Sequence, residues 1–299
     1  MIERRYRRLP TEQPNPASRR IDTKKTKDIV RLIAREDFRV PKAVAAQNAP
    51  ISRAVDIIVS SLKKGGRLLF VGAGTSGRLG VLEAAECPPT FSTPPSLIRA
   101  VMAGGRGAVF RSKEGAEDDA RDGARKVLSA VRAGDVVVGI AASGITPFVR
   151  GAFEAARSLK AKTILVTSNT KKHGQKTDVS IAVGVGPEVL TGSTRMKSAT
   201  AAKLVLNTLT TASMIRLGKV YDNWMVDLKP SSHKLRQRGI RILCDLGRVT
   251  PERGPALLKQ AGGNVKTAVL MSRLGCSAAA ARKRLGAVNG SLRRALAEA

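Results

Sequence analysis

The chain has 299 residues, of which 42% are hydrophobic and 3% aromatic, and it carries a formal net charge of +30. This length is enough for one large domain with a full core and a small second domain. No apolar run approaches the ~20 residues of a membrane span, and the charged N-terminus lacks the apolar segment of a secretory signal. Three cysteines without C-x-x-C spacing argue against a zinc site or a disulfide scaffold, which favours the reducing cytoplasm.

The first 66 residues are predicted to form an N-terminal helical segment packed on the core. Asp22 and Thr23 are the expected start of one helix, and apolar residues between Ile51 and Leu62 recur at helical spacing.

A glycine turn follows the first strand-like run, Leu68 to Val71, and leads into a helix. Glycine lets the backbone turn sharply and approach a ligand, and the hydroxyls and N–H groups of a helix start face an anion at the positive end of the dipole. We therefore expect a phosphate here. The predicted phosphate contacts of this loop are Thr75, Ser76 and Gly77.

A carboxylate, Glu86, lies near the expected end of the same helix, and the pair Pro88-Pro89 is expected to terminate that helix. Acids are disfavoured at helix C-termini, so the position of Glu86 indicates a function rather than a solvated surface residue.

The same glycines also match the dinucleotide-binding pattern G-x-G-x-x-G. That pattern needs an acidic residue at the end of the next strand to hold a ribose. The next strand instead ends in Met102-Ala103-Gly104-Gly105, so a dinucleotide site is disfavoured.

The middle of the chain alternates strand and helix. Continuous apolar strands separated by helices are typical of an α/β doubly wound parallel sheet, which we assign to residues 67–228. A linker at Lys229-Pro230-Ser231-Ser232 then precedes a small helical C-terminal domain, residues 229–299. Strand-like runs lie at 67–72, 97–102, 135–141, 163–168 and 179–185, with helical patterns near 76–86, 116–131, 147–159 and 194–216.

A second loop of small residues and hydroxyls, residues 142–147, follows the third strand. Two such loops at the carboxyl ends of parallel strands converge where open α/β sheets bind ligands, and together they favour a sugar-phosphate site. The predicted contacts of this loop are Ser143, Gly144 and Thr146.

Glu117, in the acidic segment 113–119, is the second candidate acid or base. Its alternative role is to place negative charge at a helix N-terminus. A third segment, 186–197, presents hydroxyls together with Arg195 and Lys197 as a further anion contact, unless Ser193 or Thr194 simply caps the long helix.

Several long motifs resemble the N-acetylmuramic acid 6-phosphate etherases, a family within the SIS (sugar isomerase) superfamily. The resemblance extends from about Thr11 through the basic tail. The motifs are GAGTSGRLGVLEAAECPPTF, EGAEDD, VVVGIAASGITPFV, GPEVLTGSTRMKSATAAKLVLNTLTTASMIRLGKVY and NWMVD.

The resemblance implies an SIS domain, a small C-terminal helical domain and a homodimer. It also implies a lyase that removes D-lactate from N-acetylmuramic acid 6-phosphate during cell-wall sugar recycling, with Glu86 as the acid and Glu117 as the base. The reaction requires no redox cofactor, and we expect no metal because His173 and His233 are isolated in polar stretches.

The chain departs from the family pattern at several positions, whose effect stays open. Ile145 stands where the family usually has Arg, and Glu83 where it has Asp; the others are Ser198, Ala199 and Ala202.

Two other functions remain as alternatives: a noncatalytic sugar-phosphate sensor resembling glucokinase regulatory protein, and an SIS isomerase. Residues 229–299 hold 15 Lys and Arg against 3 Asp and Glu but no aromatic residue. We therefore expect nucleic-acid contact to be nonspecific at most.

Overall fold

The computed structural model describes residues 9–171 and 174–297; the first eight residues and His173 lie outside this part. The chain divides into two compact units. The first comprises the chain up to Ala84 together with Ser96–Thr210, and the second comprises Ala85–Pro95 and the chain from Thr211 onward. None of the described helices is both long enough and apolar enough to cross a membrane.

A five-stranded parallel sheet forms the centre of the first unit, with the strand order β2-β1-β3-β4-β5. Every residue of β1 and β3 is buried, as expected for strands covered on both faces by helices. The doubly wound α/β fold predicted from the sequence is thus confirmed. The strands are β1 (Leu68–Gly72), β2 (Ile98–Met102), β3 (Val136–Ile140), β4 (Lys162–Thr167) and β5 (Val179–Ala182).

The predicted helices of the first unit are found in the predicted order. The stretch 116–131 forms a 3-10 turn before its helix, however, and the short helix Gly107–Phe110 was not predicted. Two helices of this unit, α4 and α8, continue into the second unit, because the unit borders fall after Ala84 and Thr210. The helices are α1 (Thr26–Asp37), α2 (Arg39–Ala45), α3 (Asn48–Lys63), α4 (Gly74–Phe91), α5 (Gly107–Phe110), α6 (Ala120–Ala130), α7 (Pro147–Ser158) and α8 (Lys197–Arg216).

Helix α4 does not stop at Pro88 and Pro89, as the sequence led us to expect, but continues to Phe91. The prolines lie in its last turn. Because proline has no N–H, they leave the carbonyls four positions earlier without their usual helical donors, and the helix continues for only two residues beyond them. The helix ends where Ser92 adopts a left-handed conformation, with φ +50°.

The predicted helix start at Asp22 and Thr23 is wrong. Residues Ile21–Thr23 form a single 3-10 turn, and α1 begins at Thr26 without a side-chain cap. The prediction for Ile51 to Leu62 is confirmed, because Ile51, Val55 and Ile58 of α3 are buried.

The described part of the second unit beyond Thr211 is mainly helical, and three of its helices begin with side-chain caps, from Ser232, Asn264 and Ser277. Lys266 is buried, and its ammonium donates to Asp227 Oδ2 at 2.8 Å and to the carbonyls of Gly218 and Gly290. The domain boundary placed at residues 228 and 229 stays a prediction. The remaining helices are α9 (His233–Gly247), α10 (Gly254–Gln260), α11 (Val265–Leu274), α12 (Ala278–Ala287) and α13 (Leu292–Ala297).

Candidate active site

The strand order places the first and second loops side by side. The chain leaves β1 toward β2 on one side and returns to β3 on the other, so the order reverses between β1 and β3. The last residues of these strands, Gly72 and Ile140, are register partners. The loops that follow them therefore leave the same edge of the sheet at neighbouring points, where open α/β sheets bind ligands.

The glycines of the first loop allow a tight turn and a close approach of α4 to β1. Gly74 has φ +53°, which a side chain disfavours. A Cβ on Gly77 would stand 2.7 Å from the Gly72 carbonyl oxygen, so only glycine lets α4 approach β1 this closely. Gly77 is buried and its N–H donates to Ala73 O at 3.1 Å. Its predicted phosphate contact stays a prediction.

Thr75 and Ser76 lie in the first turn of α4, as expected, and both are half-buried. Ser76 lines a narrow cleft at the carboxyl edge of the sheet. Because the first N–H groups of a helix have no intrahelical partner, this turn presents donors and the positive end of the dipole to a bound anion.

The second loop is held in place by two side-chain amides. Gln175 Nε2 donates to Gly144 O at 2.6 Å, and Asn169 Nδ2 donates to Ser143 O at 2.9 Å. Gly144 makes the turn with φ +75°. Thr146 directly precedes Pro147 at the start of α7, and its side chain makes no capping bond. Sequence reasoning identified this loop but not the two amides that support it.

The cleft is rich in hydroxyl groups, several of which the sequence did not indicate as contacts. Thr167 ends β4 and Ser168 follows it, whereas Thr194 precedes α8 and Ser198 lies in its first turn. Ser198 Oγ is buried and has no hydrogen-bond partner. The run TILVTS, which ends a third parallel strand in hydroxyls, is the signal that would have pointed to Thr167 and Ser168.

The N-terminus of α8 is capped by Glu188 rather than by Ser193 or Thr194. The Glu188 carboxylate accepts from Lys197 N at 3.0 Å and from Ser198 N at 2.8 Å. Lys197 is fully buried and its ammonium lies 2.7 Å from Glu36 Oε2. The predicted anion contact at Lys197 is therefore wrong, because this cation is already paired inside the protein.

Glu117 lies in a 3-10 turn, Ala116–Asp118, which directly precedes α6. The residue is exposed as a whole. Partial burial of the carboxyl raises the pKa of Glu117, and the charges of Asp118 and Glu114 raise it further. Each of these effects disfavours the ionised form, so Glu117 binds a proton more readily than an ordinary glutamate.

Glu86 is exposed on α4, twelve residues after Gly74, hence just over three helical turns further along the helix. The next residue, Cys87, is buried. The two candidate carboxylates fall in different compact units, Glu117 in the first and Glu86 in the second. The structure thus brings Ser76 to the cleft and gives Glu117 a distinct electrostatic environment.

Comparison with known proteins identifies relatives along almost the entire chain. An N-acetylmuramic acid 6-phosphate etherase of Salinibacter ruber is 50% identical over 291 residues, which cover 96% of this chain and 94% of the relative. The enzyme of that name from Cutibacterium acnes is 48% identical and covers 96% and 95%, respectively. The family model of the glucokinase regulatory protein N-terminal SIS domain matches residues 50–157.

Solved structures give weaker matches. A phosphoheptose isomerase from Francisella tularensis superposes with a TM-score of 0.49 at 19% identity, covering 64% of this chain and all of that one. A phosphoheptose isomerase from Neisseria gonorrhoeae gives 0.46 at 19% identity, covering 62% and 97%.

Proposed function

The chain belongs to the N-acetylmuramic acid 6-phosphate etherase family, and we propose that Glu86 and Glu117 are the acid and the base of its reaction. It is a carbon–oxygen lyase that releases D-lactate from N-acetylmuramic acid 6-phosphate and leaves N-acetylglucosamine 6-phosphate. The observation that carries this function is the near 50% identity to such etherases along 96% of the chain.

The difficulty of the reaction is the ether bond, because an alkoxide is a poor leaving group. In the open-chain sugar the C1 aldehyde acidifies the proton on C2, and the lactyl oxygen is attached to the adjacent C3. Removal of the C2 proton supplies the electron pair of a C2–C3 double bond, and the C3–O bond breaks as a proton reaches the lactyl oxygen. Water then adds to C3 and a proton returns to C2. A base and an acid on the protein are therefore sufficient for both halves of the reaction.

We assign the base to Glu117. A general base is most effective when its pKa lies close to the working pH, and the pKa of Glu117 is raised above its ordinary value by partial burial and by two neighbouring acids. Glu86 then supplies the proton to the departing lactyl oxygen.

We place the sugar phosphate in the two loops at the carboxyl edge of the sheet. The first turn of α4 offers N–H groups, hydroxyls and a positive dipole end. Holding the phosphate fixes C2 and C3 for proton transfer. Because Ile145 replaces the arginine usual in the family, this loop supplies hydroxyls and N–H groups but no cation. The proposed contacts are Thr75, Ser76, Gly77, Ser143, Gly144 and Thr146.

We further propose a homodimer that works in the cytoplasm on sugars recycled from the cell wall. Large apolar side chains on the surface support an association between subunits. Phe38 is 82% exposed and Phe110 is 89% exposed, and both lie in the sheet-containing unit.

The test of this function is incubation of the purified protein with N-acetylmuramic acid 6-phosphate and an enzymatic assay for D-lactate. We expect stoichiometric lactate and N-acetylglucosamine 6-phosphate. A sensor resembling glucokinase regulatory protein would bind the sugar phosphate and release no lactate. An isomerase would exchange the C2 proton without cleaving the ether. Either outcome would overturn the lyase assignment.

A further inference from the structure

Glu83 is a buried carboxylate on α4, and two residues of α8 donate hydrogen bonds to it. Its Oε2 accepts from Asn207 Nδ2 at 2.5 Å, and its Oε1 accepts from the hydroxyl of Thr210. The residue is 6% exposed. Burying a carboxylate carries a desolvation penalty that only well-placed donors offset, so this contact constrains how the two helices lie against each other.

The orientation of the Asn207 amide is fixed by Lys203, which lies one turn earlier on α8. The ammonium of Lys203 donates to Asn207 Oδ1. Turning the Asn207 amide over would set its NH2 group against this ammonium. Asn207 is therefore held with its NH2 group toward Glu83, so the amide is already oriented to donate to the carboxylate.

This contact lies next to the residues that carry the proposed acid. Glu86 follows Glu83 by three positions, so the two side chains are neighbours on the helix surface. Glu83 and Thr210 also lie at the ends of the first compact unit, which closes after Ala84 on α4 and at Thr210 on α8. Since α4 is one continuous helix, any rotation or shift at Glu83 moves Glu86 with it.

We propose that Glu83 is a positioning residue for Glu86: its bonds to Asn207 and Thr210 fix the rotation of α4 one turn before the acid. The proposal rests on the assignment of Glu86 as the proton donor to the lactyl oxygen. Proton transfer is steeply sensitive to the placement of the donor, so a small rotation of α4 slows ether cleavage. It slows removal of the C2 proton by Glu117 much less. Glu117 lies on a different element, and the first turn of α4, where we place the phosphate, is anchored against β1 at Gly77.

The experiment compares ether cleavage with C2-proton exchange in the full-length protein. In D2O, lactate release reports cleavage, and deuterium uptake at C2 of the substrate reports the base. Glu83→Met keeps an unbranched side chain of similar length but removes both acceptors. We expect its kcat for lactate release to fall about tenfold while exchange and KM change less than about twofold.

Glu83→Gln is the conservative variant, and we expect it to retain most of the activity. Its amide oxygen can accept from Asn207, and its NH2 group can donate to Thr210 Oγ1. The Thr210 hydroxyl can then turn to the Leu206 carbonyl, which already lies 3.3 Å away. Thr210→Val should give an intermediate loss, and its combination with Glu83→Met should be no worse than Glu83→Met alone.

Thr163→Val is the matched control for Thr210→Val. It also removes a threonine hydroxyl that donates to a carboxylate, in this case Asp178 Oδ2 at 3.1 Å. Thr163 lies at the start of β4, at the sheet edge opposite the loops. We expect it to lower thermal stability without changing the ratio of cleavage to exchange. If Glu83→Met lowers cleavage and exchange equally, or lowers neither, Glu83 is not a positioning residue.

Glu86→Gln separates this proposal from the function on which it rests. If Glu86→Gln keeps exchange and loses cleavage while Glu83→Met shows no such split, only the inference on Glu83 fails. If Glu86→Gln itself shows no split, the assignment of the acid fails as well.

Discussion

Gly151 of α7 lies against Ala120 of α6 so closely that a Cβ on the glycine would stand 1.9 Å from the Ala120 carbonyl oxygen. A glycine of α6 makes the same kind of contact with α7, because a Cβ on Gly123 would stand 2.0 Å from the Phe148 carbonyl oxygen. The turn with Glu117 leads into α6, and the second phosphate loop leads into α7. Backbone contact between these helices therefore fixes the proposed base beside the proposed phosphate loop.

Gly151→Ala should force α6 and α7 apart, because the atom it meets is backbone and cannot move aside as a side chain does. We expect a loss of about 1–3 kcal/mol in unfolding free energy, or more, together with reduced lactate release. Thermal unfolding and the lactate assay measure both. The control is Gly286→Ala on α12, where no atom lies within 4 Å of the added Cβ and helix propensity favours alanine. Equal behaviour of the two variants would contradict the packing argument.

The acidic limb of the pH profile should report Glu117. A base acts when ionised, so kcat/KM falls as the pH drops through its pKa. Because that pKa is raised, we expect the fall to begin at a higher pH than for an ordinary glutamate. Asp118→Asn removes one of the neighbouring charges and should move the limb to lower pH. Asp28→Asn, an exposed acid on α1, should leave it in place. A limb unmoved by Asp118→Asn would argue against Glu117 as the base.

Removing one partner of the buried pair of Lys197 and Glu36 should lower the stability of the protein strongly. Burial raises the pKa of Glu36, but the Lys197 ammonium and the Asn15 amide outweigh it and hold that pKa below its ordinary value. Among the described residues, Lys197→Met leaves the buried carboxylate with only the Asn15 amide and the exposed Arg39 as partners, and it should cost about 3–5 kcal/mol. Glu36→Leu on the same background should recover much of the loss.

The pH dependence of stability gives the same pair a second test. A lowered folded-state pKa means that the contribution of Glu36 is present above its ordinary pKa and is lost as the pH falls through the folded-state value. We therefore expect urea midpoints of the wild type to drop in acid and those of the double variant to drop less. Parallel curves would contradict this role for the pair.

Ser198 should contribute to substrate binding rather than to stability. Its hydroxyl lines the cleft, is buried and has no partner, so it gains a hydrogen bond only when a ligand arrives. We expect Ser198→Ala to raise KM about three- to tenfold with kcat unchanged. Ser213→Ala is the control, since that hydroxyl on α8 is equally buried and unpartnered but lies outside the cleft. An unchanged KM in Ser198→Ala would exclude contact with the substrate.

The sequence predicted the five strands and the two loops well, because continuous apolar runs and glycine turns are local patterns. It failed where distant residues decide the outcome. The sequence suggested that Lys197 is available to an anion, but in the structure it is buried and paired with Glu36, 161 positions away. Pro88 and Pro89 looked like a helix stop because their local preference is clear, yet α4 continues to Phe91.

The placement of hydroxyls was similarly beyond local reasoning. Ser76 was identified because it follows a glycine turn, whereas Thr167 reaches the cleft only because β4 lies beside β3 in the sheet. Strand order determines which residues meet, and no pattern along the chain reports that order directly.

The central claim is the division of labour between two glutamates, and hydrogen exchange in D2O tests it most directly. Glu86→Gln and Glu117→Gln are each incubated with N-acetylmuramic acid 6-phosphate, and deuterium at C2 and released lactate are followed together. We expect Glu86→Gln to lose lactate release and keep C2 exchange, and Glu117→Gln to lose both. Full lactate release by Glu86→Gln, or retained exchange in Glu117→Gln, would contradict the assignment.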